Sequence, residues 1–196
     1  MPDLSRASHI VPAVRALSDA LVPAQGHEMP LKLTQTDCDR TEHPVDIIEA
    51  IAALHHWPFE RTDRDEISIS VAGSWARYTV AFTWLAEVEA LHLACAFDLK
   101  VPEARRMELA ALVSLINEEL WIGHFDIWPN DNVVMFRHAL LLSGGAELNI
   151  QQCQSAFASV VQACERYYQA FQFVVWAGQA GREALAAIRL ETKGRA

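Results

Sequence analysis

The chain is expected to fold as an α+β domain, an antiparallel sheet with helices packed on one face, in the order α-βββ-α-ββ-α. Three observations lead there. Apolar residues recur at helical spacing over 44–56, 102–122 and 150–175. Between the first two of these blocks the apolar period falls to two. Turn chemistry then separates the alternating runs from one another.

The first helix opens near Thr41. Pro44 stands where a first-turn proline is tolerated, and Val45, Ile47, Ile48, Ile51, Ala52 and Leu54 give a broad apolar face that Trp57-Pro58 ends. Two strands follow. Ile67, Ile69 and Val71 alternate with Ser68 and Ser70, Ala72-Gly73 turns the chain, and Tyr78, Val80, Phe82 and Trp84 alternate with Arg77, Thr79, Ala81 and Thr83. After an acidic loop around Glu87 and Glu89, a third strand sets Leu91, Leu93, Cys95, Phe97 and Leu99 against His92, Ala94, Ala96 and Asp98. The result is a meander with one strongly apolar side.

Pro102 and Glu103 start the second helix, whose buried stripe is Leu109, Leu112, Val113, Ile116 and Leu120, and Gly123 ends it. A second hairpin joins 124–128 to 133–142 through Pro129-Asn130-Asp131-Asn132. Asn149 with Gln152 resembles a capping box for a long helix carrying Cys153, Phe157, Val160, Cys164, Tyr168, Phe171 and Val175. Gly178 and Gly181 interrupt it, and a last short helix forms around Leu185 and Ile188. Residues 1–40 read as an N-terminal extension with one amphipathic stretch at Ile10, Val14, Leu17 and Leu21, 41–192 as the domain, and 193–196 as a polar tail.

At 196 residues and 52% hydrophobic, the chain can build one real core. Its formal charge of −9, from 25 acidic and 16 basic residues without a basic cluster, repels a phosphate backbone, so no nucleic-acid partner is expected. No run approaches the roughly 18 apolar residues of a membrane span. Cys38, Cys95, Cys153 and Cys164 lack C-x-x-C spacing, which fits a reducing cytoplasm better than a disulfide framework.

Several runs carry a family resemblance: Pro44-Val45-Asp46-Ile47-Ile48-Glu49, Trp57-Pro58-Phe59-Glu60-Arg61, Val71-Ala72-Gly73-Ser74-Trp75, Leu91 to Asp98, Asn117 to Asp126, Met135 to Leu140 and Glu165 to Trp176. Over about 43–192 they resemble the YbjN-like family, a group regarded as regulators of sensory transduction. The resemblance implies a fold similar to type III secretion chaperones, pairing into homodimers, and no established catalytic residue or cofactor. A surplus of apolar sheet surface over what three helices cover also points to a homodimer.

Motif chemistry agrees with a non-enzymatic domain. Ser74 in Ala-Gly-Ser-Trp-Ala lacks the second glycine of a nucleophile elbow, and Gly144-Gly145 precedes no phosphate-cradling sequence. His55-His56 diverge on a helix, so no metal is expected. Glu118-Glu119 read as a solvated helix end, and Cys153 and Cys164 as buried small hydrophobes.

The strongest polar candidate is the second hairpin. Pairing Trp128 with Val133 sets Asp126 opposite Met135 and His124 opposite Arg137, so His124, Asp126, Trp128 and Arg137 share a sheet face. Such a set could be a register-fixing ion-pair ladder or a site for an anionic ligand. Trp75 and Arg77 fall on the less apolar phase of their own strands. Trp75, Arg77, His124, Asp126, Trp128 and Arg137 are therefore the candidate binding face of a regulatory, protein-interaction domain, with a small anionic ligand sensor as the alternative. The acidic surface favours a basic or neutral protein partner.

Overall fold

A computed structural model describes residues 40–129 and 131–193. The amphipathic stretch at Ile10 to Leu21 lies outside the described residues. The first helix, α1 (Pro44–Leu54), begins at His43, whose Nδ1 accepts the Val45 N–H at 3.3 Å while Nε2 meets Asp65 Oδ1 at 2.9 Å. The cap therefore also ties the helix start to the hairpin below it.

Six strands follow in a single antiparallel sheet: β1 (Phe59–Asp63), β2 (Glu66–Ala72), β3 (Arg77–Leu85), β4 (Ala90–Lys100), β5 (His124–Trp128) and β6 (Val133–Leu141), in the spatial order β1-β2-β3-β4-β6-β5. The expected order thus becomes α-ββββ-α-ββ-αα, with β1 as the addition. Phe-Glu-Arg-Thr-Asp shows no apolar alternation because β1 is an edge strand, open to water on both faces apart from Arg61. What makes it a strand is pairing, Phe59 with Ile69 and Arg61 with Ile67. Arg61 holds it to α1 through Asp46 at 2.6 Å and Glu49 at 2.5 Å.

The other strands begin and end within a residue or two of where the sequence pattern places them. Ile67, Ile69, Tyr78, Val80, Phe82, Leu91, Leu93, Cys95, Phe97 and Leu99 are all buried in one cluster with residues of every α-helix. Burying each large ring or aliphatic chain stabilises the fold by about 2 kcal/mol before entropy is counted. Phe97, Phe125, Phe136, Tyr168 and Phe171 stack into an aromatic centre, with Phe125 5.1 Å from Phe136 and Phe97 5.0 Å from Tyr168.

The helices close one side of this sheet. After a 3-10 turn at Glu103–Arg105 comes α2 (Arg106–Asn117), shorter than its apolar stripe suggests, since 118–122 form turns and Gly123 takes φ +71°. The long α3 (Ile150–Val175) carries the expected capping box at Asn149 and Gln152 and runs about 39 Å, enough to cross the sheet. Gly178 turns the chain at φ +67° into α4 (Gly181–Lys193), longer than the short helix expected. A Cβ on Gly181 would sit 2.9 Å from the Leu112 amide nitrogen, so only glycine lets α4 start against the backbone of α2.

The second sheet face is built differently. Ser68 pairs with Ala81, Ala81 with Ala94, Ala94 with Arg137 and Arg137 with His124, giving one continuous row of small and polar side chains. Ala81, Ala94, Met135 and Trp128 form a small cluster of their own there, separate from the helix-covered core.

Candidate functional site

The polar cluster of the second hairpin begins with Asn117, the last residue of α2. Its amide lies along the free edge of β5 like a strand residue: Nδ2 donates to the Phe125 carbonyl at 3.0 Å and Oδ1 accepts the Phe125 N–H at 2.8 Å. Phe125, 1% exposed, is thereby fixed towards the helices, and strand alternation turns His124 and Asp126 to the opposite face. The register is the one the four-residue turn implies, Trp128 with Val133, Asp126 with Met135 and His124 with Arg137.

On that face Arg137 is the centre. Its Nε donates to His92 Nε2 at 3.4 Å, and its Nη1 lies 3.6 Å from Asp126 Oδ2, beyond hydrogen-bond reach. Asp126 Oδ1 is engaged with the Ile127 amide at 2.8 Å. Burial, reinforced by Arg137, His124 and His138, pushes His92 down to about 4, so it is neutral near pH 7. His124 is lowered by burial and by Arg137, against the opposing pull of Asp126, and His138 by burial and by His124.

The six sequence candidates divide into two places. His124, Asp126, Trp128 and Arg137 come together, although Trp128 is only 7% exposed and packs on the sheet rather than standing out from it. Trp75 belongs to the β2–β3 turn and is 40% exposed, with Arg77 exposed beside it at the start of β3.

That turn is pinned to α3. Glu165 Oε1 accepts the Ser74 N–H at 2.7 Å, and a Cβ on Gly73 would lie 2.3 Å from Glu165 Oε2, so the turn approaches at a distance only glycine permits. The next two residues of α3 reach the other way. Tyr167 Oη donates to Glu119 Oε2 at 3.0 Å and Arg166 meets the same oxygen at 3.4 Å, while Arg189 of α4 bonds Oε1. Glu119 is therefore no solvated helix end but the junction of α2, α3 and α4. Burial alone would raise its pKa, yet the Arg189 and Tyr167 hydrogen bonds hold it below the ordinary carboxylate value.

Two residues beyond Glu119, Trp121 is 100% exposed and Ile122 is exposed beside it. The turn that carries Trp75 and the turn that carries Trp121 are thus tied to consecutive residues of α3, the first through Ser74 to Glu165 and the second through Glu119 to Arg166 and Tyr167. Helical periodicity hid Trp121, because the run Leu120-Trp121-Ile122 reads as the end of an amphipathic helix.

A model of the family described as "Putative bacterial sensory transduction regulator", YbjN, matches residues 44–173. The chain belongs to the YbjN family. The YbjN match starts at the first residue of α1 and ends two residues before the end of α3, so it includes every strand, Glu119 and both tryptophans. No curated protein matches the chain. Among solved structures it is similar to "YbjN, a putative transcription regulator from E. coli", at 10% identity and TM-score 0.46, covering 63% of this chain and 90% of that one. It is also similar to a chain of the ExsC–ExsE complex, at 18% identity and TM-score 0.45, covering 62% and 88%.

Among the described residues no group of three or more His, Cys, Asp or Glu is placed to hold a metal, and no helix is long and apolar enough to cross a membrane. Cys95, Cys153 and Cys164 are buried free thiols, and burial raises Cys153 to about 11, so Cys153 stays protonated near pH 7.

Proposed function

We propose that this YbjN domain is a regulatory module that works by binding a protein partner at the exposed turn around Trp121. The observation that carries the reading is Trp121, fully exposed, with Ile122 beside it and the half-exposed guanidinium groups of Arg166 and Arg189 gathered at Glu119 two residues away. Tryptophan and arginine are the residues most enriched among interface anchors, and a ring wholly in water gains most from being covered. Two guanidinium groups meet the one Glu119 carboxylate, and the exposed Glu118 beside it brings the local charge to balance. The partner segment is accordingly apolar and neutral, within the basic or neutral class that the overall charge favours.

The family's description as a regulator supports a non-enzymatic role, and the three buried free thiols support the reducing cytoplasm as its place. Homodimerisation rests on less than the sequence offered. The apolar sheet face is covered by four helices of a single chain, so self-association through that face is closed.

The test is affinity recovery of the tagged protein with Trp121→Ala and Arg166→Glu. Trp121→Ala should keep the wild-type melting temperature to within a degree or two, Arg166→Glu should lower it by a few degrees because it sets a second carboxylate against Glu119, and each should lose at least tenfold of the recovered partner. Full recovery by both would overturn the reading. If the partner is a second copy, sedimentation at tens of micromolar should show a dimer that Trp121→Ala dissociates.

A further inference from the structure

The middle of the second sheet face is buried, yet none of the described helices packs on it. Ser68 is 6% exposed and Ala81 1%, with Ser70, Thr83, His92 and Ala94 buried beside them. The buried apolar residues of α1 to α4 all belong to the cluster on the opposite face. Nor do the side chains of this face cover one another. Ser68 lies between Ala81 and Glu60, the latter exposed on the edge strand. The large groups Met135, Arg137 and Trp128 stand on β6 and β5. Three strand spacings separate β6 from β2, about 14 Å, and Arg137 is held at His92 and Asp126.

The burial is that of the single chain, so the chain itself supplies the cover. Outside the described residues stand one residue of the β5–β6 turn, 194–196 beyond α4, and 1–39. Only the last is long enough to lie across β2, β3 and β4. It joins the domain at Arg40, whose guanidinium sits 4.8 Å from the Trp84 ring and donates to Glu89 at 2.7 Å and to the Leu142 carbonyl. Arg40 is thus fixed at the end of the sheet where Thr83 pairs with His92. Residues 22–39 reach about 60 Å when extended, against about 37 Å for the whole of β4, so no part of the face is out of range.

We propose that the N-terminal segment carrying Ile10, Val14, Leu17 and Leu21 occupies the second sheet face, with those four side chains on Ser68, Ala81 and Ala94. They recur at the spacing of one helical side, and a floor of serine and alanine leaves depth for them. The face is then an interaction surface filled by the chain's own residues. The YbjN match begins at residue 44, so the occupant lies outside the family domain. The inference goes beyond the Trp121 surface and uses none of its residues, so either can fail without the other.

The experiment uses the full chain with Cys38→Ser, which leaves three buried thiols, and Ser68→Cys as the reporter. Reaction with dithiobis(nitrobenzoate) is followed at position 68, with Cys164 in the helix-covered core as the internal measure of unfolding. Ala139→Cys, exposed on the same face, gives the unprotected rate. Position 68 should react far more slowly than position 139, at a rate that does not change on dilution. Val14→Asp with Leu17→Asp should speed it at least tenfold while Cys164 stays unreacted.

Equal rates at 68 and 139, or a slow rate at 68 that the aspartates leave unchanged, would overturn the proposal. Protection that disappears on dilution marks a second copy as the cover and overturns it too. Should the aspartates unfold the chain, a nitroxide attached at Ser18→Cys in dilute 15N-labelled protein decides the matter. It should broaden the amide resonances of Ser68, Ala81 and Ala94 and spare those of α4, which lies beyond the sheet. Absence of that broadening, or broadening of α4 instead, would contradict the placement.

Discussion

The carboxylate of Glu165 on α3 accepts the backbone N–H of Ser74 at 2.7 Å, joining the tip of the β2–β3 hairpin to a helix 91 residues away in sequence. The hydrogen bond is charge-assisted, and the glycine before Ser74 is what leaves room for the Glu165 carboxylate and the Tyr78 ring against the turn. Gly73→Ala would put a methyl 2.3 Å from Glu165 Oε2 and 2.4 Å from the Tyr78 ring. We expect it to cost about 2 kcal/mol in urea unfolding, with Glu165→Gln costing about 1 kcal/mol through the same contact. Because both act on one contact, the double variant should lose less than the sum.

Asn117 gives a second prediction. Replacing it by Leu removes both hydrogen bonds to Phe125 and leaves a strand-edge N–H and carbonyl without partners. The expected loss is about 2–3 kcal/mol, and amide exchange at Phe125 should accelerate out of proportion to the rest of the sheet.

At Glu119 the pH dependence has a definite sign. Its carboxyl titrates below its unfolded value, so its stabilising effect is complete above the ordinary carboxylate pKa and is lost as pH falls through the folded one. Glu119→Gln should therefore cost about 2 kcal/mol at pH 7, still about 2 kcal/mol just above the ordinary carboxylate pKa, and less as pH falls below it. A difference that does not shrink with acid would mean that the charge at the three-helix junction is unimportant.

His92 acts in a higher window. The native state keeps it neutral down to about 4, whereas an unfolded histidine takes a proton near 6.5. Acid therefore favours the unfolded chain between these two values, and stability should decline by about 3 kcal/mol from that source as pH drops from 6.5 to 4. In His92→Gln the slope of stability against pH over that range should flatten by a comparable amount.

How much of this the sequence revealed depends on whether a feature is local. The second hairpin was legible down to its register, because four turn residues and two alternating runs fix which residues face each other, and Arg137 opposite His124 follows. The capping box at Asn149 and Gln152 was legible for the same reason. β1 was not, since a polar edge strand is defined by its neighbour β2 and not by a pattern of its own. Glu119 was misread because its partners Arg166, Tyr167 and Arg189 lie 47, 48 and 70 residues away. Trp128 was assigned to the correct face, yet its burial follows from the alanines beneath it, whose small side chains let the indole lie down on the sheet.

The most direct test of partner binding at the Trp121 end is site-specific photocrosslinking in the protein's own cells, with a benzophenone amino acid at position 121 or at the exposed control position 107 on α2. A discrete crosslinked product from position 121, absent from position 107 and suppressed by Arg166→Glu, is the expected result. Equal labelling from both positions, or none from 121, would contradict a partner surface there.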